Sequence, residues 1–157
     1  MMGKAKFSIA HKDDDLLALV QTTDQKTLAV WAIDCAERVL PYFEQQFPDD
    51  QRPRYAIEML QAWIETGVFK MAVIRKASLD AHAAARDVGA DTPARSAARA
   101  AGQAVATAHM PRHAYGPAIY AQQAIYRAAE PAEADAAVAS ERDWQYHRLF
   151  QLRENRK

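Results

Sequence analysis

The chain has 157 residues, half of them apolar, with 20 Lys and Arg against 20 Asp and Glu and a single cysteine. A chain of this length fits one domain that buries roughly 70% of the surface it exposes when unfolded, so no disulfide is needed to hold it, and Cys35 has no partner for one. The charge balance argues against generic nucleic-acid binding and against polyanion mimicry, while leaving local patches open.

Alanine makes up about one residue in five, glycine is scarce, and the prolines fall between periodic segments. That composition favours helix over sheet, and no alternating strand of useful length occurs. The expected fold is all-α: a single compact bundle, or short array, of about six helices packed through alanine-rich faces. Residues 1–21 read as a poorly ordered N-terminal segment with room for one short helix from Asp13 to Val20, and residues 22–157 as the helical domain. Asp13, Asp14 and Asp15 interrupt any signal-peptide core, and no apolar run reaches the about 20 residues that span a membrane. The cytoplasm is the expected location.

The first strong helix starts near Thr23 or Asp24, where Thr22 and Gln25 also fit a capping box. Its stripe is Leu28, Trp31, Ala32, Cys35, Ala36, Val39 and Phe43. Pro41 predicts a kink or a fresh turn running to Phe47. A second helix opens at Pro53 and stops at Gly67; a third runs from about Lys70 to Val88 and stops at Gly89. Thr92 and Pro93 signal the cap and first position of a fourth, whose thin face is Ala94, Ala97, Ala98, Ala101, Val105 and Ala108. Gly102 beside that face permits close approach. A boundary follows at Met110 and Pro111, helix resumes to Ala129 with its start open around Gly116 and Pro117, and Pro131 opens the last helix.

Several side chains invite a chemical reading. His109 and His113 have the i, i+4 spacing of paired metal ligands, but Met110 stands where the Glu of HExxH belongs and Pro111 breaks the helix between them. No metal and no cofactor are expected there; capping or core hydrogen bonding suits both rings. Cys35, between Trp31 and Val39, reads as a small buried residue rather than a nucleophile. Arg75, Leu79, His82 and Arg86 share one stripe of the third helix, and Arg95 and Arg99 line one side of the fourth. Such charges are either a solvated flank covering apolar surface with their stems or a patch that pairs with carboxylates on a partner. Asp34 and Arg38 form an ordinary i, i+4 pair, of interest only if Asp34 meets His82 or His113. Tyr115, Tyr120, Tyr126, Trp144 and Tyr146 divide between core and interface roles.

The segments DQKTLAVWAIDCAERVLPYFE (24–44), RKASLDAHAAARD (75–87), AARAAGQAVATAHMPRHAYG (97–116) and ERDWQYHRLF (141–150) resemble the class-five-like immunity proteins of bacterial polymorphic toxin systems. The resemblance covers about residues 22–152. It implies a small, all-helical, non-enzymatic cytoplasmic protein that binds and neutralises a cognate toxin, and it carries no catalytic or ligand positions over to this chain. Pro117 departs from the alanine-like residue expected there. The candidate partner or ligand surface is therefore drawn from the residues themselves: Asp34, Arg75, His82, Arg86, Arg99, His109, His113 and Tyr115. Two other readings stay open, a small-molecule- or metal-binding enzyme around Asp34, His82, His109 and His113, and an oligomeric helical scaffold.

Overall fold

A computed structural model describes Phe7 and residues 13–155, and among these it contains seven α-helices and no strand. In order they are α1 (Asp14–Gln21), α2 (Gln25–Glu44), α3 (Arg52–Thr66), α4 (Met71–Val88), α5 (Pro93–Ala106), a 3-10 turn (Pro111–Ala114), α6 (Tyr115–Ala128) and α7 (Ala134–Glu154). Apart from Phe7, the expected poorly ordered start lies outside the described residues up to residue 12. Within α1, Leu16 and Val20 are buried in the same core as α2.

The centre of the molecule is α5, which packs against α2, α3, α4 and α6. Its buried residues are Ala94, Ser96, Ala97, Ala98, Ala100, Ala101, Gly102, Ala104 and Val105, none larger than valine. Helix axes approach as closely as the side chains between them allow, so one thin helix can take neighbours on all these sides. The bulk comes from the other helices: Trp31, Leu28, Leu40 and Phe43 on α2, Leu60 on α3 and Leu149 on α7 are at most 2% exposed. At Gly102 the close approach is made by a side chain rather than a helix backbone, since a Cβ there would stand 2.7 Å from the His82 ring.

Local chemistry explains most boundaries. Gly67 and Gly89 end α3 and α4 in the left-handed region, at φ 70° and 81°, where other residues are strained. Asp24 caps α2 by accepting from the Thr27 backbone N–H, at 3.1 Å, and from its hydroxyl. The expected Thr22–Gln25 box does not form; the Gln25 amide instead donates to the carbonyls of Thr107 and Ala108, beyond the end of α5. Pro41 does not interrupt α2, because the carbonyl it leaves unpaired belongs to solvent-exposed Glu37, within the last two turns. Thr92 does occupy the residue before α5, but its hydroxyl makes no cap and is buried without a partner. The last helix begins at Ala134, not Pro131, and Pro117 lies in the first turn of α6, where no helical N–H is lost.

Polar contacts hold α7. Its buried stripe is Ala134, Val138, Glu141, Gln145 and Leu149, two of the five polar. The Gln145 carbonyl accepts from the Trp31 indole, its side-chain N–H donates to the Ala118 carbonyl, and its Oε1 accepts from Gln122 at 2.8 Å. Every buried polar atom in this junction thus has a partner, which makes it specific to one seating of α7. Asp34 and Arg38, read from sequence as a pair with each other, both reach α7: Arg148 donates to Asp34 at 2.7 Å, and Arg38 forks onto Glu141. No described helix is long and apolar enough to cross a membrane.

Candidate partner-binding face

Six of the eight candidate residues, Arg75, His82, Arg86, Arg99, His109 and His113, lie on α4, α5, the 3-10 turn and the connection before it. Gly89 ends α4 and Pro93 restarts the chain as α5, so the two helices pair closely and bring His82 and Arg99, 17 positions apart, within bonding distance. Arg99 Nη1 donates to His82 Nδ1 at 2.9 Å. A guanidinium has no lone pair to offer, so Nδ1 must be the acceptor and the neutral ring carries its proton on Nε2. Burial and the positive charges of Arg99, Arg86 and His113 hold the His82 pKa down at about 4. His113 Nδ1 meets Gln103 Oε1 at 2.9 Å, and Gly116 leaves room for that glutamine, since a Cβ there would come within 2.9 Å of it. Burial and the neighbouring His109 also lower the His113 pKa. At neutral pH the positive charge here is therefore arginine's.

Arg75 and His109 adjoin this cluster along a groove of about 150 Å3 lined also by Met71, Ile74, Leu79 and Ala106. The Ser78 hydroxyl, also in the groove wall, donates to the Gly102 carbonyl at 2.9 Å, so Arg75 and His109 are the lining side chains with donors left to offer. His109 is exposed and stacks on Phe69, with centroids 6.3 Å apart and an interplanar angle of 15°. A second groove of about 250 Å3, lined by Trp63, Val68, Lys70 and Val73, shares Ile74 with the first. The face is rich in apolar side chains left in solvent: Val68, Phe69, Val73, Leu79 and Met110 are 39–60% exposed.

Asp34 and Tyr115 stand apart from this cluster. Asp34 is tied to Arg148, and no carboxylate is among the charges that act on His82. The Tyr115 hydroxyl accepts from the Asp13 backbone N–H at 3.1 Å and so fastens the start of α1 to the start of α6. The four residues of the enzyme reading, Asp34, His82, His109 and His113, accordingly do not form one hydrogen-bonded set. Among the described residues no group of three or more His, Cys, Asp or Glu is placed to hold a metal ion. The Cys35 thiol is fully buried, and burial with the nearby Glu141 and Asp34 pushes its pKa well up, so it stays protonated.

Periodicity did not bring out Lys70, Phe69, Val73, Met110 or Arg112 as part of this face. Lys70, Phe69 and Met110 lie in connections, where no helical stripe announces them; the exposure of large apolar residues is the signal, and it exists only in the fold.

A family model described as Imm-5 like putative immunity protein matches residues 18–152. No curated protein and no solved structure matches the chain.

Proposed function

The chain belongs to the Imm-5 like putative immunity protein family, and from that premise we propose that it is a non-enzymatic, cytoplasmic binding protein that neutralises a cognate toxin. In this reading the toxin docks on the face formed by α4, α5, the α3–α4 connection and the 3-10 turn, with Arg75, His82, Arg86, Arg99, His109 and His113 inside the contact. One observation carries it. Five of the eight large apolar side chains left exposed on the described residues, Val68, Phe69, Val73, Leu79 and Met110, gather on the face that also holds the arginine and histidine cluster. An exposed apolar patch with a polar rim is the usual anatomy of a protein-binding site, and arginine and aromatic residues are the side chains most enriched there. Asp34 and Tyr115 serve the scaffold in this account, one by seating α7 and the other by fastening α1.

Co-expression with the products of neighbouring genes, tested for toxicity, tests the proposal. The chain is expected to restore growth against one toxic product and to co-purify with it. Absence of both growth rescue and a complex with any neighbouring gene product would overturn it.

A further inference from the structure

The charge of the same face points to the chemistry of its partner. The segment from Val68 to Gly116, which supplies this face, carries seven Lys and Arg against three Asp, an excess of four positive charges that the rest of the neutral chain balances. All three aspartates are already engaged: Asp80 by Lys76 at 2.8 Å, Asp87 by Arg52 at 2.8 Å, and Asp91 by Arg95 at 2.9 Å. Lys70, Arg75, Arg86, Arg99 and Arg112 have no carboxylate partner among the described residues. Arg99 is not loose, however: its bond to His82, whose ring lies over Gly102, fixes its direction while leaving its other donors unused by any carboxylate. A cation held in place before binding loses less conformational freedom when a carboxylate arrives.

The groove beside these cations sets a size. At about 150 Å3 it is well below the roughly 300–1,000 Å3 of sites for cofactors and drug-sized ligands. It matches a cavity of about 150 Å3 that takes one benzene ring, the bulk of a single leucine or phenylalanine side chain. Its lining is apolar apart from Arg75 and His109, which suits an apolar side chain flanked by a carboxylate better than a base, a sugar and a run of phosphates.

We propose that this face receives an acidic protein surface: one apolar side chain of the partner seats between Met71, Ile74, Leu79 and Ala106, and flanking carboxylates pair with Arg75, Arg86 and Arg99. His82 acts as a positioning residue for Arg99. The partner chemistry rests on the immunity reading above only in identifying that partner with a toxin.

The test uses defined probes on the full chain. Three are titrated by amide NMR at low salt: an acidic heptapeptide with a central phenylalanine, the same peptide with lysines for its acids, and an oligothymidylate of equal charge to the first. The acidic peptide is expected to shift amides of α4 and of Ala106–His109. Its affinity should fall at least tenfold in 300 mM NaCl, and equally in a folded R75E/R86E variant. The lysine peptide and the oligonucleotide should shift none of these. Failure of the acidic peptide to bind there overturns the proposal, as does equal or tighter binding of the oligothymidylate. A concentration-dependent dimer of the chain that uses this face and is lost in R75E/R86E also overturns it. Growth protection then separates the two levels. Full protection by R75E/R86E removes the acidic-partner inference and leaves the immunity reading standing, whereas no protection by the unsubstituted chain removes the immunity reading without touching the peptide result.

Discussion

Arg38 on α2 grips Glu141 on α7 through Nε and Nη2, with contacts of 2.8–3.1 Å onto a carboxylate whose side chain is 2% exposed. The same guanidinium lies 3.8 Å over the Trp144 ring, so one side chain neutralises the buried acid and covers an aromatic beside it. Loss of a partner from a buried ion pair costs about 3–5 kcal/mol when both charges are buried. Arg38 is partly exposed, so R38A is expected to lose about 2–3 kcal/mol in urea denaturation. The double replacement R38M/E141L, which leaves no orphan charge, should recover most of that loss.

The His82 pKa makes stability depend on pH with a definite sign. Its folded value of about 4 lies below the unfolded 6.5, so the unfolded chain binds the proton more readily between those values. The contribution is full above pH 6.5 and is lost as pH falls through that window to about 4. The shift amounts to roughly 3 kcal/mol at 1.36 per unit, reduced to about 2 for a ring that keeps some contact with water. Denaturation midpoints measured between pH 7.5 and 4.5 should decline, and H82Q should flatten the decline relative to the unsubstituted chain.

Gly102 tests the positioning of that ring. A methyl at 102 would add helix propensity worth about 1 kcal/mol but would meet His82 Nε2 at 2.7 Å, so the imidazole must move. G102A is therefore expected to break the Arg99–His82 bond and let the ring out into water. NMR titration of the His82 Cε1 proton should then show its pKa rising from about 4 toward 6.5, while a value that stays low would mean that the ring keeps its seat.

Cys35 should be inert in the native state. Its sulfur is 0% exposed and its thiol stays protonated, whereas attack on a disulfide reagent requires the thiolate. Modification by Ellman's reagent at pH 8 should proceed only at the rate of unfolding and become rapid in 6 M guanidinium. Fast labelling of folded protein would contradict the burial described here.

Much of the fold was legible because small and apolar residues recur at helical spacing. Ala94, Ala97, Ala98 and Ala101 mark one face of α5 in the sequence and are buried in the molecule. Gly67 and Gly89 end helices because the left-handed turn they make strains other residues. The seating of α7 was not legible, since Glu141 and Gln145 occupy core positions that a polarity pattern assigns to solvent, and their partners Arg38 and Gln122 lie 103 and 23 residues away. Thr92 shows the reverse failure, a residue of the right type at the right place whose hydroxyl does not cap. For the candidate face, the flank of Arg75, His82 and Arg86 followed from helix geometry. Its extension to Phe69 and Met110 needed the packing of one connection against the other, where Phe69 stacks on His109.

The central claim is that a toxin is held on the α4–α5 face, and amide hydrogen exchange on the purified complex tests it most directly. Binding is expected to slow exchange at residues 68–82 and 103–115, leaving the α2–α7 junction around Glu141 and Gln145 unchanged. A stable, growth-protecting complex whose new protection falls on the α2–α7 side and spares residues 68–115 would contradict the account.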